Sequence, residues 1–292
     1  MWIDTTKLPD RDQRAEPLEL IGQVIGTAGT APYVHLQLEM SKRLFGDTMP
    51  TLVANDGLGE QAEKVKKIAR MYGADFVSWE STGHAPGDVR IFHESMKWAK
   101  EFGLDIVAKF SRRSIPLVSW RHGLQYLAAS NTDAAFFTRR HQDKPGGLFR
   151  TDAIAYRLRL IDTPRVNETF IETYTNKIRV NVESMMEAFS HVSGGWVQWD
   201  LLGPNFYKPW NKMMQWRGLL PYHYGDLARA LDLPYTDIDF LEASFGPVTI
   251  QDDNPAPPQS MQVVQTDVTQ PPNPVVPWNA DSQLEAPPTH VA

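Results

Sequence analysis

The chain has 292 residues, 42% of them hydrophobic and nine of them tryptophan, which is enough for a sizeable core in one large α/β domain or two small ones. Its net charge of −6 gives no general pull toward nucleic acid or an anionic membrane, so an anion site has to be built locally. Cysteine is absent, which excludes disulfides, thiolate metal sites and a cysteine nucleophile, and fits a reducing compartment.

Residues 1–17, MWIDTTKLPDRDQRAEP, are polar and mixed in charge with no apolar leader core. No apolar run approaches membrane-spanning length, so the expectation is a soluble, cytoplasmic protein without a membrane span. From Leu18 onward, short β-like runs alternate with helix-length amphipathic stretches, the signature of a parallel sheet covered by helices. LIGQVIGT (20–27) predicts a strand, PYVHLQLEMSKRLF (32–45) a helix and TLVAND (51–56) a strand. GEQAEKVKKIARMYG (59–73) predicts a helix with Val65, Ile68, Ala69 and Tyr72 on one face and Gly73 as its C-terminal stop. A strand follows at 74–79, then a turn, ESTGHAPG, a helix from about Asp88 to Phe102, and a strand DIVAKF at 105–110. Four such steps argue for a nucleotide-binding type of α/β sheet.

Beyond that point, 116–130 reads as helical, 134–140 and 147–161 as strands, 164–190 as one or two helices and 221–233 as a final short helix. Residues 247–292 carry ten of the 22 prolines and no Lys or Arg. Such a segment cannot bury enough surface to offset its ordering entropy, which predicts a disordered tail. Its polyproline-prone stretches suit a protein partner's groove, or serve as a plain terminus. The expected organisation is an N-terminal extension (1–17), one domain (18–246) and the tail (247–292).

Loops at the C-terminal ends of the strands of an open α/β sheet converge on the ligand edge. The first is GTAGTAPY, with Thr27, Ala28, Gly29 and Tyr33 as candidate donor contacts, where small residues allow close backbone approach and Pro32 can start a helix. An ordinary strand-to-helix turn has the same composition. The second is VANDGLGE, in which Asp56 either accepts hydrogen bonds from a ribose or base amide or belongs to a favourable Asp-Gly turn. The third is STGHAPGDVRIFHESMKWA, with Gly83, His84 and Asp88; Asp88 stands where it can cap the helix. His84 has no second His or carboxylate at ligand spacing, which favours a hydrogen-bonding role over a metal ligand.

In this order of pieces, VIGTAGTAPY, LVANDG and TGHAPGDVRIFHESMKWAKEFG, the chain resembles nucleotide-sugar glycosyltransferases of the GT-A fold over about residues 20 to 160. The resemblance implies a GT-A-like, Rossmann-like, mostly parallel sheet flanked by helices. It also implies a nucleotide-sugar donor, a glycan or other hydroxyl acceptor, and Asp56 as a nucleotide contact. The chain departs from the pattern where the family places a metal-binding D-x-D, because the sequence there is Lys109, Phe110, Ser111, Arg112, Arg113. Hard divalent cations need oxygen ligands and are repelled by two guanidinium groups, so no metal cofactor is expected. The diphosphate leaving group still needs stabilisation. Arg112 and Arg113, with Lys109 and Ser111 beside them, are the expected substitutes; the alternative is that one arginine pairs with an acid and the other faces water.

An inverting transferase also needs a carboxylate base near the acceptor hydroxyl, and of Asp143, Asp152 and Asp200 the favoured candidates are Asp152 and Asp200. Lys208 in NFYKPWNK reads as a chance match to a lysine motif, and Trp196, Trp199, Trp210 and Trp216 read as either core or sugar platforms. The rival reading is a degenerate GT-A-fold domain that binds a nucleotide, glycan or protein without turnover. Absence of G-x-G-x-x-G, a P-loop and G-x-S-x-G disfavours oxidoreductase, NTPase and serine hydrolase chemistry. Nucleic-acid binding is disfavoured by charge.

Overall fold

The computed structural model describes residues 20–46, 49–112, 114–116, 124, 127–128, 131–136, 151–192, 195–198, 206–207 and 222–245, all within the compact unit Met1–Thr249; the second unit, Ile250–Ala292, lies outside them. The expected N-terminal extension and proline-rich tail therefore fall outside the described residues, as do most of 116–130 and all of 137–140.

The chain runs β1 (Ile21–Thr27), α1 (Ala31–Phe45), β2 (Thr51–Asp56), α2 (Glu60–Met71), β3 (Asp75–Trp79), α3 (His84–Glu101) and β4 (Ile106–Ser111). There follow β5 (Ile115–Pro116), β6 (Ala134–Phe136), β7 (Ala153–Arg157), α4 (Pro164–Thr175), α5 (Val182–Val192), β8 (Trp196–Gln198) and β9 (Phe206–Tyr207). Helices α6 (Tyr222–Ala230) and α7 (Asp237–Phe245) complete the described chain. The main sheet has the order β3-β2-β1-β4-β7-β6-β8, with β5 and β9 forming a separate two-stranded ribbon. Strands β3, β2, β1 and β4 are mutually parallel, and β7 pairs antiparallel to both of its neighbours, β4 and β6. The expected class, a mostly parallel α/β sheet flanked by helices, is the one observed.

Strand β1 is buried along its whole length because both sheet faces are covered. Val24 packs with α3 residues Phe92 and Met96 on one face, and Ile25 packs with Val34 of α1 and Val65 of α2 on the other. The α2 stop is a Schellman motif: Gly73, at φ +66°, donates to Arg70 O and Ala74 N donates to Ala69 O. On its outer face α1 meets α6 and α7, where the Tyr33 ring lies edge-on to Tyr224 and Phe240.

Three expectations are corrected. Helix α3 starts at His84, four residues before Asp88, so Asp88 lies in the second turn and caps nothing. Pro86 is tolerated because first-turn N–H groups have no intrahelical partner. Of the strand expected over 147–161, residues 147–150 lie outside the described residues, and within 151–161 the strand is Ala153–Arg157, followed by a 3₁₀ turn, Leu158–Leu160. The expected final helix corresponds to α6, and among the described residues α7 follows it.

Phe92 is completely buried in the α3-side core. Phe92→Ala should cost about 3–5 kcal/mol in chemical denaturation, as expected for a cavity left by a phenyl ring. Two histidines give the fold an acid sensitivity. Burial pushes the pKa of His35 below its ordinary 6.5 against the opposing pull of Glu39, and burial also lowers His93. A depressed folded value means that the stabilising contribution is complete above about 6.5 and is lost as pH falls through the lowered value. Stability should therefore decline from pH 7 to pH 5, and the double variant His35→Gln/His93→Gln should flatten that decline in pH-resolved denaturation.

Candidate functional site

From β1 the chain steps outward through β2 to β3 and then returns by α3 to β4 on the other side of β1. Strand order therefore reverses between β1 and β4, and in open α/β sheets ligands bind outside the carboxyl ends of the strands at such a point. A cleft of about 900 Å³ opens there, lined by the ends of β1, β2 and β4, the first turns of α3, the start of β7 and the loop between α4 and α5.

Its floor is built around Asp56. The carboxylate accepts from Trp79 Nε1 at 2.8 Å, Ser81 Oγ at 3.2 Å, Thr82 N at 2.9 Å and Thr82 Oγ1 at 3.2 Å. Three of these donors converge on Oδ1 and Ser81 meets Oδ2, so Asp56 lines the cleft while it shapes the β3–α3 turn. Gly87 follows from this packing, because a Cβ there would lie 2.4 Å from Asp56 Oδ2. The HAPGD stretch reads as a turn because Pro and Gly are helix breakers; here both are compatible with helix, Pro by position and Gly by contact.

Asn55 fastens the neighbouring loops. Its Oδ1 accepts from Gly29 N at 2.7 Å and its Nδ2 donates to Gly57 O at 2.6 Å, tying the β1–α1 turn to the β2–α2 turn. Gly29 takes φ +74°, where a side chain is strained. Thr27 Oγ1 lies 3.0 Å from Thr30 Oγ1, closing the same turn. Sequence reasoning passed over Asn55; its place between an apolar strand and Asp-Gly was the available signal.

Lys109 is only 2% exposed, and its ammonium pairs with Asp88 Oδ1 and donates to Thr151 O at 3.0 Å. Thr151 Oγ1 donates to Asp88 Oδ2 at 3.2 Å. This pair joins α3 to β4 and to the approach of β7, so the Lys109 charge is largely committed within the protein. Beyond it, Arg112 N donates to Gly26 O at 2.9 Å, and Ser111 N donates to Asp152 O at 2.7 Å. These bonds set Ser111, Arg112 and Asp152 on the cleft wall together.

Of the expected site residues, Thr27, Ala28, Asp56, His84, Asp88, Lys109, Ser111, Arg112 and Asp152 line one cleft. Gly29 and Gly83 stand behind it in the turns, Gly83 at the α3 N-cap with φ +94°. Tyr33 is corrected: it is buried in the α1–α6–α7 core and donates to Phe240 O at 3.2 Å. Arg113 and Asp200 lie outside the described residues, as do Asp143, Lys208, Trp199, Trp210 and Trp216. The cleft also takes Arg179 and Asn181 from the α4–α5 loop and Glu183 from the first turn of α5, which sequence reasoning missed. Among the described residues no group of three or more His, Asp or Glu side chains is arranged to hold a metal ion, and no helix is long and apolar enough to cross a membrane.

No protein-family model matches the chain, and no curated protein sequence matches it. Solved structures resemble it at low identity. A mannosyltransferase from Pyrobaculum calidifontis, in complex with GDP-Man and Mn²⁺, aligns with TM-score 0.47 and 13% identity over 81% of this chain and 70% of its own. A cytidylyltransferase from Leptospira borgpetersenii aligns with TM-score 0.43 and 13% identity over 76% of this chain and 92% of its own. Core-mannan synthase A from Aspergillus fumigatus aligns with TM-score 0.39 and 9% identity over 66% of this chain and 77% of its own.

Asp56→Asn separates the structural role from a purely ligand-binding one. The amide oxygen can still accept from the three donors at Oδ1, but it loses the negative charge they stabilise and sets an NH2 against Ser81 Oγ, so the variant should lose about 1–3 kcal/mol of stability in the absence of any ligand. An unchanged melting temperature would return Asp56 to a ligand-binding role alone.

Proposed function

We propose that this cleft binds a nucleotide-diphosphate sugar and transfers the sugar to an acceptor hydroxyl. The observation that carries the reading is Arg112, a permanent cation on the wall of a cleft at the strand-order reversal. Next to it the α3 N-terminus, which has no side-chain cap, brings His84 and Ala85 to the same cleft and favours negative charge. Ser111 adds a hydroxyl at the end of β4.

The reaction breaks the bond from the anomeric carbon to the diphosphate oxygen as the acceptor oxygen bonds to that carbon. Negative charge grows on the departing diphosphate, and a guanidinium stabilises it by charge-assisted, bidentate hydrogen bonds. Arg112 has this role in the proposal, with Arg113 beside it in sequence; Lys109, committed to Asp88, acts by fixing the wall. Asp152 is the proposed base that receives the acceptor's proton if configuration inverts. Among the described residues, the cleft's Asp56, Asp88, Asp152 and Glu183 form no group of three or more arranged for a hard divalent cation, Asp56 and Asp88 are engaged by protein donors, and the β4 end carries Arg112. This supports a reaction without a metal.

A second reading has an observation of its own. Asp56 and Lys109, two of the expected donor contacts, are spent inside the protein, as in a domain that binds a nucleotide, glycan or protein partner without turnover.

Donor turnover measured with purified protein and a panel of nucleotide sugars, with EDTA and with Mn²⁺, distinguishes the readings. Turnover should persist in EDTA, and Arg112→Ala should lower kcat roughly 10²- to 10³-fold, as loss of one transition-state donor does. Asp152→Asn should lower kcat while leaving donor affinity near that of the wild type. Turnover that needs Mn²⁺, or that is indifferent to Arg112→Ala, refutes the metal-free arginine mechanism; donor binding without turnover supports the second reading.

A further inference from the structure

The far wall of the cleft is formed by the α4–α5 loop, and its placement has a specific cause. The Arg90 guanidinium lies 4.8 Å from the Trp79 ring centroid and 5.0 Å from that of Tyr174, within cation–π distance of both rings. Trp79 is in turn bonded to Asp56, under the cleft floor. On the other side Tyr174 stacks on His93 at 5.7 Å and its hydroxyl lies 3.1 Å from His93 Nδ1. Tyr174 is the next-to-last residue of α4, so this column fixes the point from which the loop departs.

The loop's other end is fixed as well. Asn181 Oδ1 accepts from Ser184 N at 2.9 Å, capping α5, and Val182 and Met186 are buried in the main core. Between these anchors stands Arg179, exposed, lining the cleft, and making no hydrogen bond or ion pair among the described residues.

We propose that Arg179 is a second phosphate-contacting residue of the cleft, contributed by an element separate from Arg112, and that Arg90 is its positioning residue. The inference rests on the nucleotide-diphosphate reading of the site and adds the residue that closes around the diphosphate from the α4–α5 side. Two guanidinium groups from different elements suit a diphosphate, which spreads its charge over two phosphoryl groups, better than a single phosphate.

The test is calorimetric titration of inorganic pyrophosphate, inorganic phosphate, nucleoside diphosphates and the matching nucleosides into the wild type, Arg179→Ala, Arg90→Lys and, as a control away from the cleft, Arg165→Ala. Thermal melting of each variant accompanies the titrations. Arg179→Ala should weaken pyrophosphate and nucleoside diphosphate binding about tenfold or more, leave nucleoside binding unchanged and keep the wild-type melting temperature. The salt dependence of diphosphate binding should become shallower in that variant. Arg90→Lys keeps the charge but loses the planar stack, and should weaken diphosphate binding at temperatures well below its melting transition; Arg165→Ala should match the wild type. Wild-type diphosphate binding that Arg179→Ala leaves unaltered overturns the assignment while sparing the nucleotide reading. Loss of melting temperature in Arg90→Lys without loss of affinity overturns the positioning role. A wild type that binds neither pyrophosphate nor any nucleoside diphosphate overturns the nucleotide reading and this inference with it.

Discussion

The Asp56 carboxylate is the joint on which the site depends. A strand that ends in an acid at the ligand edge of a parallel sheet has a charge to satisfy, and here it is satisfied by the protein itself, through Trp79, Ser81 and Thr82. Those bonds bend the chain after β3, set the first turn of α3 beside the strand ends, and require glycine at position 87 where the helix crosses the carboxylate. Through Trp79 the same joint reaches Arg90 and Tyr174, and so the far wall. Floor, helix terminus and wall are therefore parts of one connected arrangement.

Charge in the cleft divides into two groups. Lys109, which is buried, and Asp88, which is partly exposed to the cleft, neutralise each other in a pair that Thr151 completes, and removing Asp88 would strand the Lys109 charge in a poorly solvated place. Arg112 and Arg179 reach the cleft from separate elements. In a chain of net charge −6, the proposed anionic ligand would be attracted by this local placement, together with the α3 terminus, and not by the overall field.

Much of the fold is readable along the chain because parallel strands buried on both faces leave unmistakable apolar runs. LIGQVIGT, TLVAND and DIVAKF each fall within a residue or so of β1, β2 and β4. The start of α3 was misplaced because Pro86 and Gly87 look like breakers: Pro86 is tolerated by its place in the first turn, and Gly87 is required by a contact with Asp56, thirty-one residues away in sequence. The same limit applies to the site. Strand ends and small-residue turns point to Thr27, Ala28, Ser111 and Arg112, since topology alone brings them together. The commitment of Asp56 and Lys109 to partners, the removal of Tyr33 to the α1–α6–α7 core, and the arrival of Arg179 depend on packing between distant segments, which carries no local sequence signal. Asn181 in RVNVES caps α5, but nothing in the local sequence says that the loop before it faces the cleft.

The most direct test of the whole account is hydrogen–deuterium exchange of the intact protein with and without a nucleoside diphosphate. Binding in the described cleft should slow exchange in peptides covering the β1–α1 turn, the first turns of α3, the end of β4 and the α4–α5 loop, and leave the outer face of α6 and α7 unchanged. Protection confined to other surfaces, or none at saturating ligand, would contradict the claim that this edge of the sheet is a nucleotide-diphosphate site.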